Sequence, residues 1–169
     1  MSEKPTDSEE LELLLFLGMM VRDAATMELM VASIAGHLRA SHDPKAAPIG
    51  GQPLGVLISK CEAAAHSVPR VDAEQRGSLQ SLLTRVRAVA DLRNAYVHGT
   101  WVKDFDGSYS GVRGKRGQSS LIEHALSGEQ LRDMIKEIRS INDGLTAWLA
   151  HDINLTYEAP EGHSEEDSQ

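Results

Sequence analysis

Cysteine is almost missing from this chain. Cys61 is the single one in 169 residues, so no disulfide forms within the chain, and no CxxC or Cys/His cluster is there to hold zinc. That usage suits a reducing compartment and leads us to expect a cytoplasmic protein without a metal or other cofactor. Aromatic residues are 4% of the chain against 41% hydrophobic overall, so aliphatic side chains and alanine have to fill the core. Long apolar runs are absent too. The longest, Leu13 to Val21, is nine residues, less than half of the roughly 20 a membrane span needs. It follows Glu3, Asp7, Glu9, Glu10 and Glu12 instead of a basic leader, which argues against a signal peptide and predicts a soluble chain with no membrane contact.

The net charge of −8 is unevenly spread. Residues 1–10 carry −3 and residues 157–169 carry −5, which leaves the stretch between them neutral. Within it, residues 85–116 carry +4. The acidity sits at the ends and one central segment is basic, so an acidic total does not exclude a nucleic-acid partner. Three divisions follow: a disordered acidic N-terminus over 1–7, a folded domain over 8–156, and a disordered acidic tail over 157–169. The tail reads as a solubility tail or as a screen against indiscriminate RNA binding; on the second reading, deleting residues 157–169 would raise RNA affinity at low salt.

Periodicity predicts an all-α fold: an antiparallel bundle of about four main helices with a small β-hairpin or meander insert, about 100–124, before the last helix. The first helix, Ser8 to Ser41, is apolar on more than one face (Leu13, Leu14, Phe16, Leu17, Met20, Met27, Met30, Val31, Ile34, Leu38). Such a helix needs more than one neighbour, so we expect a core face and a dimer face, with a bend near Gly18 or a break near Ala24. The second helix spans about Pro53 to Val68. The third opens at Asp72 with Gln75 three residues on, an approximate capping box, and ends where Gly99 suits the position just past a helix. WVKDF and SYSGV flank the turn pair Asp106-Gly107. A glycine-rich turn from Gly111 to Gly117 then leads to a third strand, SSLIEH. Ser127 and Gln130 cap the last helix. Of the histidines outside the motif, most (His37, His42, His66, His124, His151, His163) read as surface residues; Cys61 reads as core, and Trp101 as packing.

The informative stretch is Leu92-Arg93-Asn94-Ala95-Tyr96-Val97-His98-Gly99. Arg93 falls in the apolar row of Leu79, Leu82, Val86 and Val89, where a lone cation is costly unless it is paired or lines a polar cleft. Asn94 and His98 are four apart and share a helix face. One helix end thus gathers a fixed cation, an amide and an imidazole. The plainer alternative is an ion pair at the helix end, with Asp91 or Asp133. Arg113, Lys115 and Arg116 in GVRGKRG read as RNA-backbone contacts or as a solvated turn.

This pattern resembles the R-x(4)-H motif of the HEPN family (higher eukaryotes and prokaryotes nucleotide-binding domain): Arg93, the polar Asn94 directly after it, and His98 followed by Gly99, at the end of the third helix of a helical chain. The resemblance implies a metal-independent endoribonuclease of toxin or defence type, with a site built across a homodimer. On that reading His98 moves the proton of the RNA 2′-OH, Arg93 neutralises the phosphorane-like charge, and Asn94 orients His98 or holds a phosphate oxygen. The product would be a 2′,3′-cyclic phosphate. An antitoxin or regulatory protein is a further implied partner, although the branch whose motif continues to H-x-Y needs Tyr where this chain has Thr100. The alternative is a non-catalytic HEPN-like homodimeric module that binds a nucleotide or a protein; a purely structural interaction protein is the third reading.

Overall fold

The computed structural model describes residues 7–43, 45, 51–103, 109–114 and 121–157. Four helices, α1 (Asp7–His42), α2 (Leu54–Ser67), α3 (Ala73–His98) and α4 (Gly128–Tyr157), form an all-α bundle. Between α3 and α4 lie three strands, β1 (Thr100–Lys103), β2 (Tyr109–Gly114) and β3 (Leu121–Leu126). The expected acidic ends over 1–6 and 158–169, the Asp106-Gly107 turn, His163, Lys115 and Arg116 lie outside the described residues.

α1 runs through Gly18 and Ala24 as one helix of 36 residues, without the expected break. At about 1.5 Å per residue it is roughly 54 Å long, and it packs on α2, α3 and most extensively on α4. These neighbours cover Met20, Met27, Val31, Ile34 and Leu38 completely, which removes any reason for the chain to break. Its other side does not meet them: Leu11, Leu14, Leu15, Val21 and Leu29 are exposed. α2 adds Leu57, Ile58 and Cys61 to the core, α3 adds Leu79, Leu83 and Val86, and α4 adds Leu131, Ile138, Ile141 and Leu145.

Local signals set most helix ends. The Asp72 carboxylate accepts from Gln75 N at 2.8 Å while Gln75 Oε1 accepts from Asp72 N at 2.9 Å, a closed capping box. Ser127 and Gln130 repeat it at α4, at 3.1 and 3.0 Å. Trp148 of α4 donates its indole N–H to Gln75 O at 3.0 Å, docking α4 on the start of α3. α3 ends at His98 with Gly99 just past it, as expected. Gly99 has φ −74° and ψ 153°, extended and not left-handed, because the chain passes straight into β1. Gly99 N bonds Ala95 O at 2.9 Å, and the Trp101 indole donates to Tyr96 O at 2.8 Å, so β1 itself satisfies the helix-end carbonyls.

The strands form an antiparallel meander in the order β1-β2-β3. The expected turn from Gly111 is overturned over its first half: Gly111 to Gly114 belong to β2, with Gly111 opposite both Trp101 and His124. Pairing on both sides overrides the weak strand preference of glycine. Arg113 therefore sits in a strand, opposite Ile122.

Charged side chains bolt the helices together. Asp23 on α1 is 7% exposed and accepts from Arg139 of α4 at 2.7 Å and from Arg22 at 2.7 Å. Arg85 of α3 bonds Glu137 of α4 through two contacts at 2.8 and 3.0 Å. His37 was expected at the surface together with most other histidines. Instead its Nε2 lies 2.9 Å from Asp152, because the buried carboxylate of α4 draws both His37 and Arg70 to it. His42, His66 and His151 are exposed as expected. Cys61 is in the core, where burial first and neighbouring Glu62 second push its thiol up to about 12.

Candidate functional site

The row of Leu79, Leu83, Val86 and Val89 turns α3 toward the core, and Tyr96 continues it. Arg93 stands in that row one turn past Val89, so the sequence leaves a cation where a leucine would pack. It is accommodated because α3 there faces an open cavity of about 530 Å³ between α1, the start of α2 and α3. The floor is apolar (Met27, Ile58, Ala90), while Glu28, Gln52, Arg93 and Asn94 supply polar groups. The first turn of α2 ends on the same space at Gly55; Pro53 gives that helix no side-chain cap, so its positive end faces the cavity rim unopposed by a capping carboxylate or hydroxyl.

Arg93 is 23% exposed and only partly satisfied. Its Nη1 donates to Asn94 Oδ1 at 3.1 Å. Its Nη2 is 3.8 Å from Glu28 Oε1 on α1, an ion-pair separation beyond direct hydrogen bonding. Its Nε is buried with no hydrogen-bond partner among the described residues. The expected pairing with Asp91 or Asp133 is thus replaced: the carboxylate that meets Arg93 comes from α1, which crosses α3 at this level, whereas Asp133 bonds Lys136 at 2.8 Å. By contrast Arg87, also on the cavity rim, is fully matched. Glu62 takes two bonds from it at 2.8 Å each, and those bonds hold the Glu62 carboxyl below the usual range.

The structure brings Arg93 and Asn94 together. It does not join His98 to them: His98 is exposed at the end of α3, outside the cavity lining, and makes no hydrogen bond or ion pair among the described residues. Asn94, expected to touch His98 across one helical turn, gives its carbonyl to Arg93 instead. Compared with protein-family models, with curated proteins and with solved structures, the chain matches none.

Glu28 is the residue that sequence reasoning missed. Its one signal is position, since it borders the apolar row of Met27, Val31 and Ile34 and so lies at the edge of the packed face of α1. Around the cavity, exposed apolar residues stand next in the chain to lining residues: Leu29 beside Glu28, Val56 beside Gly55, Leu92 beside Asp91. Among the described residues no group of three His, Cys, Asp or Glu could hold a metal ion, and no helix is long and apolar enough to cross a membrane.

Proposed function

We propose that this protein is a metal-independent endoribonuclease of HEPN type, acting in a toxin or defence role as a homodimer in the cytoplasm. The observation that carries the reading is Arg93: a cation set in a core row of α3, lining a cavity with Asn94, and holding donors that no close acceptor uses. Guanidinium donors in such a state suit the non-bridging oxygens of a phosphodiester, which they grip in pairs without a metal. The 2′-oxygen attacks the adjacent phosphorus as it loses its proton, the P–O5′ bond breaks, and the 5′-oxygen takes up a proton. The products are a 2′,3′-cyclic phosphate and a 5′-hydroxyl. His98 serves this proton traffic because imidazole changes charge near neutral pH.

A homodimer supplies what one chain lacks. His98 stands outside its own cavity, and Leu92, Val97, Leu29 and Val56 are exposed apolar groups that a second copy would cover. Arg113, Lys115 and Arg116 would add contacts to the RNA backbone, and an antitoxin would act on the same face.

The test is cleavage of RNA in EDTA. We expect a 2′,3′-cyclic phosphate product that disappears in both Arg93→Ala and His98→Ala while the fold persists. Intact RNA, or cleavage that requires magnesium, overturns the mechanism, and a solution mass of 18.4 kDa removes the composite site. The position of His98 favours a second reading, a non-catalytic homodimeric module that binds a nucleotide or a protein partner through Arg93 and Asn94 alone. Ligand binding lost in Arg93→Ala but kept in His98→Ala, with RNA left intact, would establish it.

A further inference from the structure

α1 carries a second apolar face that the bundle does not use. Leu11, Leu14, Gly18, Val21, Ala25 and Leu29 follow one another at steps of three or four residues, and all are exposed. Leu15, also exposed, widens the row. They form one stripe about 27 Å long on the side of α1 away from the buried Met20, Met27, Val31 and Ile34. A row with that spacing is a seam on which another helix packs. A Cβ at Gly18 would meet nothing within 4 Å, so no neighbour among the described residues calls for glycine there, although glycine weakens a helix.

The chain has no segment of its own to cover the stripe. Outside the described residues its large apolar side chains are Met1, Ile49 and Phe105, in three separate segments. A second α1 fits it. Placed antiparallel with Gly18 on a two-fold axis, Leu11 lies level with Ala25, Leu15 with Val21 and Leu14 with the stem of Arg22, so large side chains meet smaller ones. Glycine against glycine lets the two backbones approach at the centre. Charge sets the direction. In a parallel pair Glu10 and Glu12 of the two copies lie level with each other and repel. In the antiparallel pair Glu12 comes within about 3 Å, along the axis, of the level of Arg22 in the other copy, on the same flank of the stripe. The Arg22 side chain is 67% exposed and spends Nε and Nη2 on one Asp23 oxygen, which leaves Nη1 for Glu12.

We infer that this protein forms a two-fold homodimer through α1, packed antiparallel on the α1 of a second copy with Gly18 at the crossing. The inference rests on the homodimer of the reading above and not on its chemistry, and it gives that dimer an interface. α3 runs opposite to α1, since Arg70 ahead of α3 bonds Ser41 and Arg93 near its end meets Glu28. His98, five residues beyond Arg93, is therefore about level with Asp23, roughly 8 Å along α1 from Gly18. An axis at Gly18 thus sets both motif ends near the middle of the dimer. Leu29, beside Glu28, carries the interface to the rim of the cavity.

The experiment weighs the full-length protein by sedimentation equilibrium and maps the contact with introduced cysteines. Wild type should have twice the chain mass of 18.4 kDa. Leu14→Glu combined with Leu15→Glu should bring it down to 18.4 kDa with helix content and cooperative melting kept, since both side chains are exposed. Ala40→Glu, exposed on α1 beyond the overlap, should stay dimeric. Under mild oxidation Gly18→Cys should link to itself, and Leu11→Cys should link to Ala25→Cys in a mixture but not to itself. Cys61 is buried and stays out of the reaction. A dimer kept in the double Glu variant, or Leu11→Cys linked to itself, overturns this interface and leaves the homodimer standing. Wild type that stays at 18.4 kDa overturns the inference, whether α1 then receives a foreign helix or stays bare. A dimer linked as expected that leaves RNA intact in EDTA overturns the ribonuclease reading alone.

Discussion

Asp152, fully buried on α4, accepts a hydrogen bond from Arg70 Nη2 at 2.8 Å and meets His37 Nε2 at 2.9 Å. One carboxylate therefore holds α1, α4 and the α2–α3 connection at a single point. Removing it leaves Arg70 with its charge partly buried and its Nε already without a partner among the described residues. Asp152→Ala should cost about 3–5 kcal/mol, the usual penalty for breaking a buried pair on one side. Urea denaturation reads it directly; a loss under about 1 kcal/mol contradicts the clamp.

Asp23 predicts how stability depends on pH. Burial alone would raise its carboxyl, but the hydrogen bonds from Arg139 and Arg22 outweigh burial and hold it below the usual range. A carboxyl that binds its proton more weakly folded than unfolded stabilises fully above the unfolded value of about 3.9, and that contribution fades as pH falls through the folded value. Asp23→Asn should thus be less stable than wild type at pH 7, with the gap narrowing below about pH 4. A gap that stays constant down to pH 2 refutes the linkage.

Two glycines in helix interiors should respond oppositely to a methyl group. A Cβ at Gly77 meets nothing within 4 Å, so Gly77→Ala should raise stability by about 0.5–1 kcal/mol through helix propensity. At Gly144 the new Cβ would stand 2.7 Å from Leu82 Cδ2, a buried methyl, so Gly144→Ala forfeits that gain and falls below Gly77→Ala. Thermal melts of the pair decide it.

Cys61 should be inert in the folded state. Its Sγ is buried and donates to Val31 O at 3.3 Å, and its thiol lies near 12. An aromatic disulfide reagent at pH 8 should react only after denaturant is added. Prompt reaction of the native protein would contradict the packing.

Arg93→Lys keeps the charge but loses the planar set of donors that reaches Asn94 and, on the proposed ribonuclease reading, would reach a phosphate as well. Cleavage should fall by about tenfold to a hundredfold, an amount comparable to losing one strong charge-assisted contact. Unchanged cleavage would show that Arg93 acts as a point charge.

What was legible in the sequence was local. The pairs Asp72/Gln75 and Ser127/Gln130 announce helix starts because each box closes within four residues of chain. The helical rows of α3 and α4 appear because a 3.6-residue period needs no knowledge of the partner. Arg93 was visible for the same reason, as a charge out of place in such a row, and Asn94 through its four-residue spacing from His98. Glu28 was not, since nothing near it in the chain tells which helix α1 will cross or at what level. His37 and Asp152 are 115 positions apart and show the same limit. The Gly111–Gly114 stretch misled because glycine content signals a turn, whereas strand pairing on two sides decided the outcome.

The close packing of α1 on α4 joins the first and last helices. During synthesis α1 emerges early, yet its main partner follows only after more than 80 further residues. Until then Met20, Met27, Ile34 and Leu38 have only α2 and α3 to cover them, and the leucines near residue 14 have nothing. The bundle therefore closes only when α4 is present to pack on α1.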